Sequence, residues 1–225
     1  MNSIRSLKTI VFDFDGTVAG LTIDFAEMRR RVMDHLQSFG ISPDGLRKLY
    51  ILEMIAAGKK LIASSMPGRE TNYERGALTL VRDMEVAAAQ TGVLFYGIRE
   101  MLSLLRAQGR HTGVVTRNCR EAVEAVFPDI DVFVDVVLTR NDTPHVKPHP
   151  GHLHQALKTL AAPAATAAMV GDHKMDMHLA RDVGVLAIGV LTGHDTAREL
   201  KEAGAEVILA SAADLADFLS SGSVC

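Results

Sequence analysis

Four aspartates follow two of the most apolar runs in the sequence. Asp13 and Asp15 lie in TIVFDFDGT, at the end of one run, and Asp172 and Asp176 lie in AAMVGDHKMD, after another. Two carboxylates two residues apart at a strand end repel each other, which destabilises the fold unless a cation compensates them. An all-oxygen site suits Mg²⁺, which is held by one or two carboxylates together with water and phosphate oxygens. These residues predict a magnesium site to which Asp172 adds a carboxylate.

Two other polar residues occupy comparable positions. Thr116 ends the apolar run in GVVTRN, and Lys147 lies in HVKPHP after a later run. Prolines at 144, 148 and 150 stiffen the backbone around Lys147, which favours a fixed ammonium group. Each residue alone also has an ordinary interpretation, because threonine is common in strands, lysine usually faces solvent and DFDG can be a simple turn. Asp176 likewise suits the first turn of a helix.

Short strand-like runs alternate with helix-like segments from residue 92 onward, which predicts a parallel sheet flanked by helices. The first run, Thr9–Phe14, is apolar enough to be a central strand buried on both faces. The other predicted strands are His111–Thr116, Val132–Leu138, Ala167–Val170, Val185–Leu191 and Glu206–Leu209. The predicted helices are Ile98–Gln108, Arg120–Phe127, Gly151–Leu160, Met175–Val183, Thr196–Ala203 and Ala212–Leu219. Because ligands bind beyond the carboxyl ends of such strands, the polar residues are expected to converge on one site.

Residues 20–91 have a different character, with helical periodicity in Phe25–Phe39, Gly45–Ala63 and Thr71–Gln90 and no convincing strand. Breakers at Gly40–Pro43 and Pro67–Gly68 separate these segments. We therefore expect an all-helical cap domain at 20–91, inserted into a Rossmann-like α/β core formed by 1–19 and 92–225.

Composition excludes several classes of protein. Lysine and arginine number 24 against 27 acidic residues, a net charge of −3 that gives no nucleic-acid-binding footprint. Two cysteines, Cys119 and Cys225, form neither a disulfide framework nor a zinc motif. The N-terminal apolar run is broken by Asp13 after four residues, too soon for a signal or membrane segment. A cytoplasmic protein without nucleic-acid or membrane partners is expected.

Together, in this order, the four motifs resemble those of the haloacid dehalogenase superfamily of phosphohydrolases. The segment LFYGIREMLSLLRAQG is also similar, and the resemblance covers 1–19 and 92–225. It implies that Asp13 is the nucleophile, that Asp15 is the acid and base, and that Thr116 and Lys147 bind the transferring phosphoryl group. It further implies that Asp13, Asp172 and the Asp15 carbonyl bind Mg²⁺.

Further residues are expected to lie near the site or in the cap. Asp176 is expected to orient Lys147 or a metal-bound water. Gly16, Arg117 and Asn118 are expected to bind substrate, the latter two through backbone amides, although a plain turn accounts equally well for their side chains. Cys119 is expected to be buried, and His145 and His149 to face solvent. In the cap, Lys59, Lys60 and Arg69 are the expected cationic contacts for an anionic substrate.

The resemblance implies a Mg²⁺-dependent phosphatase acting on a small phosphorylated metabolite through an aspartyl-phosphate. The cap resembles that of phosphoglycolate phosphatase-like members, but VAGLTIDF after the first motif departs from their VDS-like continuation and leaves the substrate open. A phosphomutase of the β-phosphoglucomutase type uses the same motifs. A phospho-receiver signalling module combines similar residues in a shorter domain without a cap.

Three further alternatives are less favoured. A dehalogenase would not need Asp15 or the carboxylate of Asp172. A phosphonate hydrolase would carry a small residue in place of Asp15. A silent binding protein on the same fold would not need every motif residue.

Overall fold

The computed structural model describes residues 6–221. The chain divides into two compact units. The core unit comprises the described residues up to Leu21 and from Ala89 onward, and the helical unit comprises Thr22–Ala88. These limits are close to the expected boundaries at residues 19 and 92.

A six-stranded parallel sheet forms the centre of the core unit. Its strands are β1 (Thr9–Phe12), β4 (His111–Val115), β5 (Val136–Leu138), β6 (Ala167–Gly171), β7 (Leu186–Val190) and β8 (Val207–Leu209). Their spatial order is β5-β4-β1-β6-β7-β8, and every neighbouring pair is parallel. All four residues of β1 are buried between β4 and β6, as expected for an uninterrupted apolar run at the centre of a sheet. The predicted α/β class is confirmed.

Helices cover both faces of this sheet. They are α4 (Ile98–Ala107), α5 (Arg120–Val126), α6 (Ile130–Phe133), α7 (Gly151–Thr159), α8 (Lys174–Val183), α9 (Ala197–Glu202) and α10 (Leu215–Ser221). Successive side chains of a strand point to opposite faces, so Ile10 and Phe12 join one apolar cluster while Val11 joins the other. The loops that carry the candidate site residues therefore follow strands that are packed against apolar clusters on both faces of the sheet.

The predicted strand Val132–Leu138 is wrong in its first half. Residues Ile130–Phe133 form the short helix α6, and β5 begins only at Val136. Ile130 and Phe133 are three residues apart, so one helical turn directs both toward the core, where Arg99 lies over the Phe133 ring at 5.0 Å. An extended conformation would have placed these side chains on opposite faces.

Strand limits near the first motif also differ from the prediction. β1 ends at Phe12 instead of Phe14, because the Phe14 carbonyl accepts the N–H groups of Val18 and Ala19 in a turn. A second, two-stranded antiparallel sheet pairs β2 (Ala19–Gly20) with β3 (Val93–Leu94). Two residues are too few to show an alternating pattern in sequence.

Three helices build the helical unit: α1 (Phe25–Gln37), α2 (Ile51–Ser65) and α3 (Glu70–Ala89). Their buried faces share a separate apolar cluster that includes Met28, Leu36 and Ile62. α2 starts six residues later than predicted from Gly45, since Arg29 donates to the carbonyls of Arg47 and Leu49 and Asp44–Leu46 forms a 3-10 turn. None of the helices between residues 6 and 221 has the length and apolar character needed to cross a membrane.

Tyr73 in α3 is fully buried, and its hydroxyl has no hydrogen-bond partner among residues 6–221. The hydroxyl lies against Gly58 of α2, where an added Cβ would be only 2.5 Å away. Burial raises the pKa of Tyr73 to about 12. Gly58 thus leaves space for the Tyr73 hydroxyl, which has no hydrogen-bond partner in the described chain.

Replacing Tyr73 with phenylalanine is expected to raise the free energy of unfolding by about 1 kcal/mol, because it removes an unsatisfied buried hydroxyl. Gly58→Ala should lower it by roughly 1–3 kcal/mol through overpacking against the ring. Urea unfolding followed by circular dichroism measures both. A Tyr73→Phe protein that is less stable than wild type would show that the hydroxyl has a partner.

Candidate active site at the strand ends

Four neighbouring strands supply the candidate site. Asp13 follows β1, Thr116 follows β4, Asp172 follows β6, and Lys147 lies in the segment that connects β5 to α7. In a parallel sheet all of these connections emerge at the same edge. Neighbouring strands in the order β5-β4-β1-β6 therefore bring together residues that are up to 159 positions apart.

Lys147 is the central cation of this site. Its side chain is 3% exposed, and its Nζ lies 2.7 Å from Oδ1 of Asp13 and 2.7 Å from Oδ1 of Asp176. Burial lowers the pKa of Lys147, but the two carboxylates outweigh burial and hold that pKa above its usual value. The ammonium group is consequently charged and fixed between two aspartates, as the prolines around it suggested.

Asp13 presents one oxygen to these contacts. Oδ1 accepts the N–H of Phe14 at 2.6 Å in addition to the Lys147 contact. Oδ2 has no hydrogen-bond partner in the part of the chain that the structure describes. One oxygen thus fixes the carboxylate, and the other retains its lone pairs for chemistry.

Asp172 is held between two main-chain turns. Its Oδ2 accepts the N–H of His194 at 2.8 Å, and its Oδ1 accepts the hydroxyl of Thr17 at 3.2 Å. A Cβ at Gly16 or at Gly193 would overlap this carboxylate, and Gly16 also has a positive φ of 83°. Burial, followed by the charge of Asp13, raises the pKa of Asp172.

Gly16 shapes the turn of the first motif. Its N–H donates to the Ala19 carbonyl at 2.7 Å, so this amide is not free for substrate. The residue contributes space and a left-handed turn that let Asp172 approach the first motif.

Asp15 lies beside Asp13 in an environment that favours its protonated form. Its Oδ1 accepts the N–H of Leu21 at 2.8 Å. Burial raises the pKa of Asp15 to about 7, with the charges of Asp13 and Asp172 acting in the same direction. A carboxyl with such a pKa can both donate and accept a proton near neutral pH.

Asp176 joins the site to helix α8. Its Oδ1 accepts from Lys147, and its Oδ2 accepts the N–H of His173 at 3.4 Å in a capping box. Burial raises the pKa of Asp176. Both oxygens are engaged: one contacts the Lys147 ammonium and the other caps the start of α8.

The second motif surrounds Thr116. Its hydroxyl oxygen accepts the N–H of Asn118 at 3.2 Å, which leaves the hydroxyl proton available for donation. Nδ2 of Asn118 is buried and has no partner among residues 6–221, an uncompensated donor that a bound anion could satisfy. The guanidinium of Arg117 donates to the Lys147 carbonyl, a contact that no pattern in the sequence indicated.

The site's charge balance fits a divalent cation. Oxygens of Asp13, Asp172 and Asp176 lie within 4.8 Å of one another, and Asp15 adds a fourth carboxyl group beside the single ammonium of Lys147. Burial is the main reason that the pKa values of Asp15 and Asp172 are raised, and the charge of Asp13 adds to the rise in both. An all-oxygen donor set suits Mg²⁺. Asp176 already pairs with the Lys147 ammonium at 2.7 Å, whereas Oδ2 of Asp13 has no partner in the described chain and Asp172 accepts only neutral donors there, so Asp13 and Asp172 are the candidate ligands.

A second cluster comprises His173, His194 and Asp195, which sequence spacing did not reveal. Nδ1 of His173 accepts the N–H of Met175 at 3.0 Å, so its Nε2 carries the proton and is a poor metal ligand. Asp195 accepts the N–H of Lys174 at 2.6 Å and donates its own N–H to the Asp172 carbonyl. Through these hydrogen bonds Asp195 fixes the loop that carries Asp172.

Other expected positions can be placed. Cys119 is buried and His145 and His149 are exposed, as predicted. The two imidazole rings also stack on each other at 4.0 Å, which was not predicted. Cys225 lies outside the described residues. Within the helical unit, Lys59 pairs with Glu74 at 2.6 Å, Lys60 is exposed, and the guanidinium of Arg69 lies over the Phe39 ring at 5.0 Å.

Residues 10–190 match the family model described as haloacid dehalogenase-like hydrolase. The chain belongs to this family. All nine expected site residues of this hydrolase lie within the matched span, as does the whole helical unit.

Named relatives of this haloacid dehalogenase-like hydrolase include phosphatases. The probable phosphatase IndB of Dickeya dadantii (strain 3937) is 35% identical over 202 residues, which cover 89% of this chain and 88% of IndB. The pyrophosphatase PpaX of Bacillus mycoides (strain KBAB4) is 27% identical over 191 residues, covering 82% of this chain and 83% of PpaX. A hydrolase from Pseudomonas syringae superposes with a TM-score of 0.68 at 20% identity, covering 95% of this chain and 98% of that chain, which supports the fold.

Proposed function

We propose that this hydrolase is a Mg²⁺-dependent phosphatase that releases phosphate from a small phosphorylated metabolite. The observation that carries the proposal is the buried Lys147 ammonium, fixed at 2.7 Å from Oδ1 of Asp13 while Oδ2 of Asp13 remains unpartnered in the described chain. A carboxylate that attacks a phosphate dianion needs such a cation, because both reactants are anionic. The names of the relatives IndB and PpaX support the same reaction class.

In the proposed reaction, Oδ2 of Asp13 attacks phosphorus and the bond from phosphorus to the leaving oxygen breaks. Asp15 donates its proton to that leaving oxygen. Asp15 then accepts a proton from the water that attacks the aspartyl-phosphate, which releases phosphate and regenerates Asp13. A pKa of about 7 for Asp15 suits a group that must perform both proton transfers.

Charge on the phosphoryl oxygens is compensated by groups of this chain. Lys147 supplies the ammonium, and Thr116 donates its free hydroxyl proton. Asp13 and Asp172, with the main-chain carbonyl of Asp15, would hold Mg²⁺, which when bound neutralises negative charge on the substrate. Asp176 keeps Lys147 in place and does not touch substrate in this scheme.

We further propose that the helical unit is a cap that selects the leaving group. The phosphoryl chemistry needs only core-unit residues, so a separate unit inserted after the first motif is free to vary with substrate. Lys60 and Arg69 are exposed cations of this unit that could recognise an anionic metabolite.

The decisive experiment measures phosphate release by the full chain with Mg²⁺. The panel comprises phosphoglycolate, sugar phosphates, nucleotides, inorganic pyrophosphate, an aryl phosphate and an intact phosphoprotein. Release from small metabolites without an isomeric product supports the proposal. An isomerised sugar phosphate would instead establish the mutase alternative, and preference for the phosphoprotein would contradict a metabolite phosphatase. A stable aspartyl-phosphate without turnover would favour the receiver alternative.

A further inference from the structure

His152 is a fully buried imidazole that takes no part in the proposed chemistry. It is the second residue of α7. Its Nδ1 lies 3.1 Å from the backbone nitrogen of Lys147, and its Nε2 lies 3.1 Å from the carbonyl oxygen of Leu138, the last residue of β5. Both ring nitrogens are thus committed to main-chain groups at the strand ends.

These two contacts define the state of the His152 ring. A backbone N–H can only donate, so Nδ1 must carry a lone pair; a carbonyl can only accept, so Nε2 must carry the proton. Burial, reinforced by the charge of Lys147, lowers the pKa of His152 to about 4. The ring is therefore neutral near pH 7 and fits in one tautomer only.

Lys147 depends on such contacts for its main-chain position. Residues 139–150 form neither helix nor strand, so no ladder of backbone hydrogen bonds fixes this segment. Side chains hold the Lys147 backbone instead: His152 accepts its N–H, and Arg117 donates to its carbonyl. A long, flexible lysine side chain keeps its ammonium at a fixed point only if its Cα is fixed too.

The Leu138 carbonyl extends this link to the second motif. It accepts the N–H of Thr116 at 3.0 Å as well as the His152 contact. The Leu138 carbonyl therefore fixes the backbone of Thr116 directly and the backbone of Lys147 through His152.

We propose that His152 is a positioning residue whose neutral imidazole sets the main-chain position of Lys147 relative to Thr116 and Asp13. The inference rests on the proposed function in that the positioned ammonium serves phosphoryl transfer. A displacement of about 1 Å in a group that contacts the reacting atoms, such as the Lys147 ammonium, can lower the rate by about 100-fold.

Three substitutions separate the two contacts. In His152→Asn, the amide oxygen can occupy the place of Nδ1 and accept the Lys147 N–H. In His152→Gln, the amide nitrogen can reach the Leu138 carbonyl but leaves Lys147 without an acceptor. His152→Leu removes both contacts, and His154→Asn, an exposed position on the same helix, is the matched control.

We expect kcat for an aryl phosphate to fall roughly 10- to 100-fold in the Gln and Leu variants, with a smaller change in KM. The Asn variant should stay within about threefold of wild type, and the control should be unchanged. Circular dichroism and thermal unfolding confirm that each variant is folded. Folded Gln and Leu variants with wild-type kcat, or an Asn variant as slow as Leu, would overturn the proposal.

Measurements that do not need turnover keep this inference separate from the proposed function. Nitrogen-15 spectra of the wild-type imidazole should show the Nε2–H tautomer with no titration between pH 6 and 7.5. Hydrogen exchange at the Lys147 amide should be slow in wild type and in the Asn variant and faster in Gln and Leu. An Nδ1–H ring, or exchange that is equal in all four proteins, would refute the positioning role even if no substrate were turned over. Absence of phosphate release with these signatures intact would refute the phosphatase alone.

Discussion

Replacing Asp13 with asparagine is expected to abolish phosphate release while the fold is retained. The amide lacks the nucleophilic carboxylate oxygen, so kcat should fall by at least about 100-fold. The side chain lies at a strand end and is not part of either apolar cluster of the core unit. Phosphate release and circular dichroism on the same preparation measure the two effects together.

Stability offers a second test of the same substitution. Burial is the main reason that the pKa values of Asp15, Asp172 and Asp176 are raised, and the negative charge of Asp13 adds to the rise in each. In metal-free buffer, Asp13→Asn relieves this repulsion but also removes one of the two carboxylates that compensate the buried Lys147 ammonium, so the free energy of unfolding should stay within about 1 kcal/mol of wild type. Asp182→Asn, at an exposed residue paired with Arg181, serves as the control. A folded Asp13→Asn enzyme with near-normal turnover would remove Asp13 from the mechanism.

Removal of divalent metal is expected to eliminate activity, and added Mg²⁺ should restore it. Without Mg²⁺, a phosphate dianion would meet the carboxylates of the site with the Lys147 ammonium as the cation that the described chain places against Asp13. Asp172→Ala should raise the Mg²⁺ concentration for half-maximal rate by more than about tenfold or abolish activity.

Asp176→Asn is the informative comparison, because Asp176 forms an ion pair with Lys147 and caps α8 through the N–H of His173. This variant should lower kcat without a comparable change in the Mg²⁺ requirement. Mg²⁺ should also raise the unfolding temperature of wild type but not of Asp172→Ala, a readout that needs no substrate. Full activity in chelator, or metal stabilisation of Asp172→Ala equal to that of wild type, would contradict the assignment.

Much of the core could be predicted because its strands are buried on both faces. The run that becomes β1 is uninterrupted and apolar, and the rule that ligands bind beyond parallel strand ends brings Asp13, Thr116 and Asp172 together. The segment from Ile130 to Leu138 could not be divided correctly, because short apolar stretches separated by Asp131 and Asp135 fit a buried helix turn and a strand equally well.

The contacts that shape the site depend on distances between loops, which local patterns do not encode. A histidine five residues after Lys147 carries no periodic or motif signal, yet His152 links that lysine to β5. Gly16 resembles a phosphate-binding glycine in sequence, and only the approach of Asp172 shows that its missing side chain matters. The direction of the Arg117 side chain was equally open, since a residue after a strand can face either solvent or a neighbouring loop.

The confinement of Asp172 between Gly16 and Gly193 has a consequence for the proposed binding of Mg²⁺. Steric exclusion by two backbone turns, together with the Thr17 and His194 hydrogen bonds, leaves this carboxylate little rotameric freedom. It cannot swing toward Lys147 to form a compensating ion pair when no cation is present. The donor geometry is preorganised, so little conformational entropy remains to be lost when an ion is captured. If Asp172 binds Mg²⁺ as proposed, the free energy needed to fix this carboxylate is spent during folding and not during metal binding.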